Sequence, residues 1–316
     1  MKLFNWFTSK STESKAKFSI ISDQEWGTYA KAYDSVLGDC ANIAGQSIQE
    51  YASSRGLIQN TEFGAPKFAW ISTPFTQFSF QHICFRYMSD VYSIIIAIHG
   101  FIGSNGNIKD SVIVPEHLYK QLLSESEKNN LIPCILPIST ATKRPMFDGS
   151  HLLHAITQEP INIEPKDSAD NVQMSEWEIN NMGVNIVSEY LEKHGCTVVA
   201  FCDRVGISPQ LWFEKDGKRS YVLVRTIPVG KQQETYFVKK RMLANNAGFD
   251  GYFAEVILSS SSPVLLDDKG NIVPLSQRFG EKNIWLWRGD GFYISFQGLQ
   301  ELNIAMSENS NIELVD

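Results

Sequence analysis

The apolar and polar positions of this chain follow two different periods, and the changes between them predict its elements. In the first half, apolar residues recur every three or four positions from about Ser22, which predicts a helix. Gly38 predicts a kink or break in that helix, because glycine is a poor helix former. Pro115 suits the first position of another helix, which is predicted to run to about Glu127. Short apolar runs predict strands at residues 68–72, 78–88, 91–99, 111–114 and 131–138.

The second half opens with a helix signal at Ser175. Ser175 and Glu178 have the spacing of a capping box, and the apolar residues that follow lie on one helix face as far as about His194. The next elements are predicted as three short strands, a helix and a strand, at about residues 197–202, 208–214, 220–227, 233–247 and 252–258. A closing hairpin is predicted around residues 289–291, and this turn accounts for the Arg-Gly-Asp triplet that begins at Arg288.

These elements predict an α+β protein of two domains. Two prolines, several acids and few large apolar side chains mark residues 157–174 as the region of a linker. The predicted second domain is a small mixed sheet flanked by helices. The predicted boundaries are a flexible tail at 1–20, an α+β domain at 21–160, a linker at 161–174, a second domain at 175–305 and a flexible tail at 306–316.

Composition narrows the class of protein. No apolar run is long enough to span a membrane, and the N-terminus does not have the pattern of a signal peptide. The five cysteines are odd in number and lack C-x-x-C spacing, which argues against a disulfide framework or a structural zinc site. The sequence therefore predicts reduced thiols and a cytoplasmic protein.

Charge is unevenly distributed along the chain. The net charge is −7, yet residues 214–241 hold eight basic residues against three acids. Such a segment could follow a phosphate backbone. It is also what a charged turn and a solvated helix face would look like, and the sequence leaves both interpretations open. An acidic protein is a natural partner for a basic protein.

The order of elements between residues 175 and 258 resembles that of the PD-(D/E)xK phosphodiesterase superfamily, which has a restriction-endonuclease-like core. Where that family carries Pro-Asp, this chain has Pro209-Gln210, and where it carries Glu-x-Lys, this chain has Leu223-Val224-Arg225. Hydrolysis in the family requires carboxylates that hold Mg²⁺. Gln210 is neutral, Leu223 offers no ligand, and the guanidinium of Arg225 stays protonated. The resemblance therefore implies the fold without the catalytic acids.

The sequence favours a non-catalytic intracellular binding protein, for example an immunity-type inhibitor or regulator that binds a basic toxin or nuclease. This interpretation needs no cofactor and no metal. The expected contact residues are Gln210, Lys218, Arg219 and Arg225. One alternative is a divergent Mg²⁺-dependent nuclease with displaced acids at Asp203, Glu214 and Glu255. Another is a protein that binds nucleic acid without cleaving it.

Overall fold

The computed structural model describes residues 17–60, 66–73, 81–102, 108–166, 172–231, 235–261, 265–266, 269, 271–273 and 286–302. Within these residues the chain is α+β, as predicted, with one mixed sheet of eight strands, a second of six and a short two-stranded ribbon. Both predicted tails fall almost entirely outside the described residues, as do residues 167–171 of the predicted linker. The predicted domain boundaries stay predictions.

The first sheet is built around one long strand. Its elements are β1 (Ser19–Ile21), α1 (Asp23–Trp26), α2 (Ala30–Ser54), β2 (Phe68–Ile71), β3 (His82–Tyr87), β4 (Asp90–Ile102), β5 (Ile108–Pro115), α3 (Glu116–Asn129), β6 (Ile132–Ser139), β7 (Arg144–Pro145) and β8 (Leu153–His154). Strand β4 pairs with β3, β5 and β6, and only its pairing with β6 is parallel. Strand β2 pairs with β3, β1 runs parallel to β5, and β7 and β8 pair with β6.

Helices cover both faces of this first sheet. Because side chains alternate across a strand, Ile94 and Ile96 of β4 join the core under α2, while Ile95 joins a separate core with Leu122 of α3. All four side chains are fully buried. Residues 161–166 run along the same half, where Ile163 joins the α2 core.

Two predictions for the first half were wrong in detail. Helix α2 is continuous through Gly38, and the helical segment breaks instead at Gly27, the residue after α1. The helix continues because α2 buries Leu37 and Cys40 on either side of Gly38. The stabilisation from this packing offsets the cost of about 1 kcal/mol that glycine brings to a helix interior. Pro115 is the N-cap of α3 and has extended backbone, so Glu116 is the first helical residue.

The second sheet has the element order that the sequence predicts. Its elements are α4 (Glu176–Lys193), β9 (Thr197–Phe201), β10 (Leu211–Lys215), β11 (Lys218–Pro228), α5 (Tyr236–Asn245), β12 (Asp250–Ser260), β15 (Phe292–Phe296) and β16 (Gln300–Glu301), and the ribbon strands β13 (Leu265–Leu266) and β14 (Ile272–Val273) lie between β12 and β15. The strand order is β15-β12-β11-β10-β9, and β16 also pairs with β12. Strands β11 and β12 are parallel, and the other pairs are antiparallel.

Helix α4 begins where its caps predict and packs closely on the second sheet. The predicted capping box is present: the Ser175 side chain accepts from the Glu178 N–H, and the Glu178 carboxylate accepts from the Ser175 N–H. Val184 and Val187 then bury their side chains against Val222 and Val224 of β11. Helix α5 lies on the other face of the sheet, where the Lys239 ammonium sits 3.5 Å from the ring centroid of Phe253.

The predicted closing hairpin is absent among the described residues. Strand β15 pairs with β12 rather than with residues 286–288. Residues 286–288 pair with residues 172–174: Met174 N–H donates to the Leu286 carbonyl and Arg288 N–H to the Val172 carbonyl, both at 2.8 Å. Two distant segments supply the backbone partners instead: the open edge of β12 pairs with β15, and the extended segment before α4 pairs with residues 286–288.

Two further observations concern membrane spans and cysteines. None of the described helices is both long and apolar enough to cross a membrane. All five cysteines are free thiols, and Cys40, Cys84 and Cys134 are buried.

Candidate binding site

A cavity of about 640 Å³ lies beside the carboxyl-terminal half of β11. Its walls come from the start of α4, the loop before β10, residues 223–228 of β11, one side of α5, and Phe253 of β12. We call it the β11 cavity. Gln210, Leu223 and Arg225, the three positions at which the sequence departs from the nuclease pattern, all line it. Two of the four predicted contact residues, Gln210 and Arg225, therefore share this site.

The side-chain amide of Gln210 forms hydrogen bonds with backbone groups. Its side-chain Nε2 donates to the Ile207 carbonyl at 2.8 Å, and its Oε1 accepts from the Val224 N–H at 2.9 Å. The residue is 6% exposed. The amide thus closes the loop before β10 onto β11, and a carboxylate in its place could not donate to Ile207.

Arg225 is held by a carboxylate and a ring. Arg225 and Glu255 occupy facing positions on the parallel strands β11 and β12, and their side chains form an ion pair. The guanidinium carbon also lies 5.5 Å from the ring centroid of Phe253. Leu223, two residues earlier on the same face of β11, is 4% exposed and offers no polar atom. The site therefore has a fixed cation at Arg225 and no carboxylate at Gln210 or Leu223.

The acids of the nuclease alternative are not brought together. Asp203 is buried against α4, where it accepts hydrogen bonds from Asn181 Nδ2 at 2.7 Å and Trp177 Nε1 at 3.2 Å. Glu214 forms an exposed ion pair with Arg219, and Glu255 is paired with Arg225. Among the residues that the structure describes, no group of three His, Cys, Asp or Glu side chains could hold a metal ion.

Lys218 and Arg219 lie away from the β11 cavity. They begin β11, and Arg225 lies six positions after Arg219 along the strand. A strand advances about 3.3 Å per residue, so the two arginines are about 20 Å apart along the sheet. The basic segment 214–241 is therefore split between the two ends of β11, and the four predicted contact residues do not form one surface.

A buried polar contact between the two halves was not predicted from the sequence. The Arg288 guanidinium donates to both oxygens of Glu178, at 2.8 and 2.7 Å, and to the carbonyls of Asn129 at 2.6 Å and Asn130 at 2.7 Å. The Arg288 and Glu178 side chains are 2% and 6% exposed. No local signal marks this role, because the Arg-Gly-Asp triplet predicts only a turn.

A second contact between the halves surrounds Asp203. Asn181 of α4 donates to both the Asp203 carboxylate and the Ser72 hydroxyl of the first half. Burial raises the pKa of Asp203, although the hydrogen bonds from Asn181 and Trp177 oppose that shift. Trp177 itself packs on Val91 and Leu131. A smaller cavity of about 510 Å³ lies at this junction and is lined by residues of both halves, including Trp70, Arg86, Met182 and Arg288.

Comparison with known proteins identifies a domain in the second half. A protein-family model described as a domain of unknown function, DUF8840, matches residues 177–302. The match runs from α4 to β16, the elements that form the second sheet. No curated protein matches the chain, and no solved structure matches it.

Proposed function

We propose that this chain is a non-catalytic binding protein whose second half is a nuclease-like domain without a metal site. The observation that carries the proposal is the state of the three diverged positions. Gln210 is bonded to backbone groups, Leu223 is buried, and Arg225 is paired with Glu255. A domain that has used these positions for its own packing has no carboxylates left there to bind Mg²⁺.

The partner that we propose is a protein, for example a basic toxin or nuclease that an immunity-type inhibitor would cap. The distribution of charge supports this partner, because the excess of acids lies in the first half. Residues 21–160 contain thirteen acids and nine bases, whereas residues 175–305 are nearly balanced, with fifteen acids and fourteen bases. An acidic surface accelerates encounter with a basic protein and suppresses wrong partners.

Two experiments test the proposal. In the first, the full chain is incubated with Mg²⁺ or Mn²⁺ and labelled single- and double-stranded DNA and RNA. We expect the same background with the metal as with a chelator. Metal-dependent cleavage that disappears in a variant with Asp203, Glu214 and Glu255 all changed to alanine would establish the divergent nuclease instead.

The second experiment asks what the chain binds. The purified chain is used to capture partners from a lysate that has been treated with nuclease. We expect one basic protein in stoichiometric amount, and its association rate should fall as salt is added because charge steers the encounter. Recovery of nucleic acid alone from an untreated lysate would favour the alternative of a nucleic-acid-binding protein.

A further inference from the structure

The β11 cavity has a chemistry that the proposed function does not specify. Three basic residues, Arg225, Lys231 and Arg241, line it against one acid, Glu176. Arg225 is already paired with Glu255. Lys231 and Arg241 are both exposed, and neither forms an ion pair with any other residue in the described part of the chain. Among the described residues the cavity therefore presents two cations outside any ion pair.

The start of helix α5 adds to the positive potential of the β11 cavity. Thr235 lines the cavity and is the N-cap of α5, yet its side chain makes no capping hydrogen bond. Val238 and Arg241 follow on the same side of the helix. Backbone N–H groups at a helix start carry partial positive charge and favour an anion nearby.

The rest of the cavity wall is mixed, with Gln173, Asn180, Ser208 and Thr226 among its polar residues and a group of apolar side chains beside them. Val205, Ile227, Val238 and Phe253 line it, and Val205 is 42% exposed although it is a large aliphatic residue. Apolar walls next to cations suit a ligand that carries carboxylates on an aliphatic framework, because burying the aliphatic groups also removes water from around the ion pairs. The volume of the cavity is within the range of ordinary ligand pockets and would hold a short stretch of a peptide.

We infer that the β11 cavity binds a segment of a partner protein in which acidic and aliphatic side chains alternate. A nucleic acid fits less well. Of the other exposed bases of the segment, Lys240 adjoins Arg241 on α5, whereas Lys215, Lys218 and Arg219 lie about 20 Å away at the opposite end of β11. Arg219 is moreover neutralised by Glu214. The exposed bases of the described residues thus fall into two groups at the two ends of β11, an arrangement that suits a phosphate backbone less well than one continuous track.

This inference rests on the proposed role of the chain as a binding protein and names the partner chemistry of its second half. The test uses the full chain and a fluorescein-labelled eight-residue peptide that alternates glutamate and leucine, followed by fluorescence anisotropy. The control peptide has glutamine in place of glutamate. We expect saturable binding of the acidic peptide, at least about tenfold weaker binding of the control, and weakening with added salt.

Charge reversal identifies the site. The variant Lys231→Glu with Arg241→Glu should bind the acidic peptide at least about tenfold more weakly, because two attractions become repulsions. The matched control is Lys215→Glu with Lys218→Glu, which makes the same change of charge at the far end of β11 and should leave binding within about twofold. Both pairs are exposed, so circular dichroism should be unchanged.

Three outcomes would overturn the inference. The first is no binding of the acidic peptide up to about 1 mM, where the binding free energy is only about 4 kcal/mol. The second is equal loss in both reversed variants, and the third is binding of a labelled twelve-nucleotide single strand but not of the peptide. If the strand stays intact in Mg²⁺, the proposed function survives each of these results. Cleavage of the strand would overturn the proposed function itself.

Discussion

Arg288 joins the two halves of this protein through a buried guanidinium. It donates two hydrogen bonds to the Glu178 carboxylate and one each to the carbonyls of Asn129 and Asn130, and the Ser89 carbonyl lies at 3.5 Å. Arg288→Ala would leave the Glu178 charge buried with only its bond from the Ser175 N–H, and would leave the carbonyls without their donor.

The expected loss of stability on removing the Arg288 side chain follows from these contacts. Removing one partner of a buried ion pair costs about 3–5 kcal/mol, and hydrogen bonds to a charged group contribute about 1.5–3 kcal/mol each before overlap is considered. We expect Arg288→Ala to lower the free energy of unfolding by about 4 kcal/mol, which is a large part of the 5–15 kcal/mol typical of a folded protein. Arg288→Lys keeps the charge but loses the planar fork, so it should cost about 2 kcal/mol.

The assay is urea unfolding of the full chain, followed by far-ultraviolet circular dichroism and by tryptophan fluorescence. Arg219→Ala is the matched control, because Arg219 also pairs with a glutamate but both side chains are about half exposed. That variant should lose less than about 1 kcal/mol. Adding Glu178→Gln completes a double-mutant cycle, for which we expect a coupling energy of at least about 2 kcal/mol.

The reasoning would be refuted by an Arg288→Ala variant that loses no more stability than Arg219→Ala. A coupling energy near zero would also refute it, because Arg288 and Glu178 would then stabilise the fold independently. A large loss that is equal for alanine and lysine at position 288 would assign the effect to side-chain volume and backbone pairing rather than to the forked hydrogen bonds.

Three shorter predictions concern packing, proton binding and the cavity. Gly183→Ala should lower the free energy of unfolding by about 2 kcal/mol, because a Cβ there would lie 2.7 Å from two carbons of Thr226. Gly38→Ala, in the open interior of α2, should raise the free energy of unfolding by about 0.5–1 kcal/mol. The urea midpoints of the two variants test this, and equal effects would contradict the close approach of α4 to β11. Burial raises the pKa of Asp203 above 3.8, so the folded chain binds that proton more tightly than the unfolded chain does. The stability of the wild type relative to Asp203→Asn should therefore increase as the pH falls through the folded pKa towards 3.8. A relative decrease of stability in urea titrations over that pH window would be the contrary result. Gln210→Ala should lower the free energy of unfolding by about 2 kcal/mol, since it leaves a buried N–H and a carbonyl unpaired, and a loss under about 0.5 kcal/mol would mean that water replaces the amide.

Local elements could be predicted from the sequence, and their assembly could not. The capping box at Ser175 and the alternation in β10 and β11 are signals within a few residues, so the helix, three strands, helix and strand of the second half were predicted within a few residues of their bounds. The continuity of α2 through Gly38 depends on burial against a distant sheet, and local propensity has no access to it.

The residues of the candidate site were likewise predicted only in part. Gln210 and Arg225 were singled out by comparison with a motif whose residues meet in space, and both line the β11 cavity. Lys218 and Arg219 were grouped with them only because they are close in sequence, and an extended strand separates the two pairs. Arg288 lies 110 residues from Glu178, and no pattern in one sequence links residues so far apart.

The three positions at which the nuclease motif would stand are occupied by side chains that the structure uses: Gln210 and Arg225 have bonded partners, and Leu223 is buried. A variant that carries Gln210→Asp, Leu223→Glu and Arg225→Lys restores the family motif. Its Asp cannot donate to the Ile207 carbonyl, its Glu enters a position that is 4% exposed, and its Lys loses the fork that Glu255 binds. We expect this variant to lose at least about 4 kcal/mol of stability and to gain no Mg²⁺-dependent cleavage. Arg225→Lys alone is its control. If the triple variant stays stable and binds Mg²⁺ by calorimetry, the metal site was only dormant, and the second half is closer to an enzyme than its packing implies.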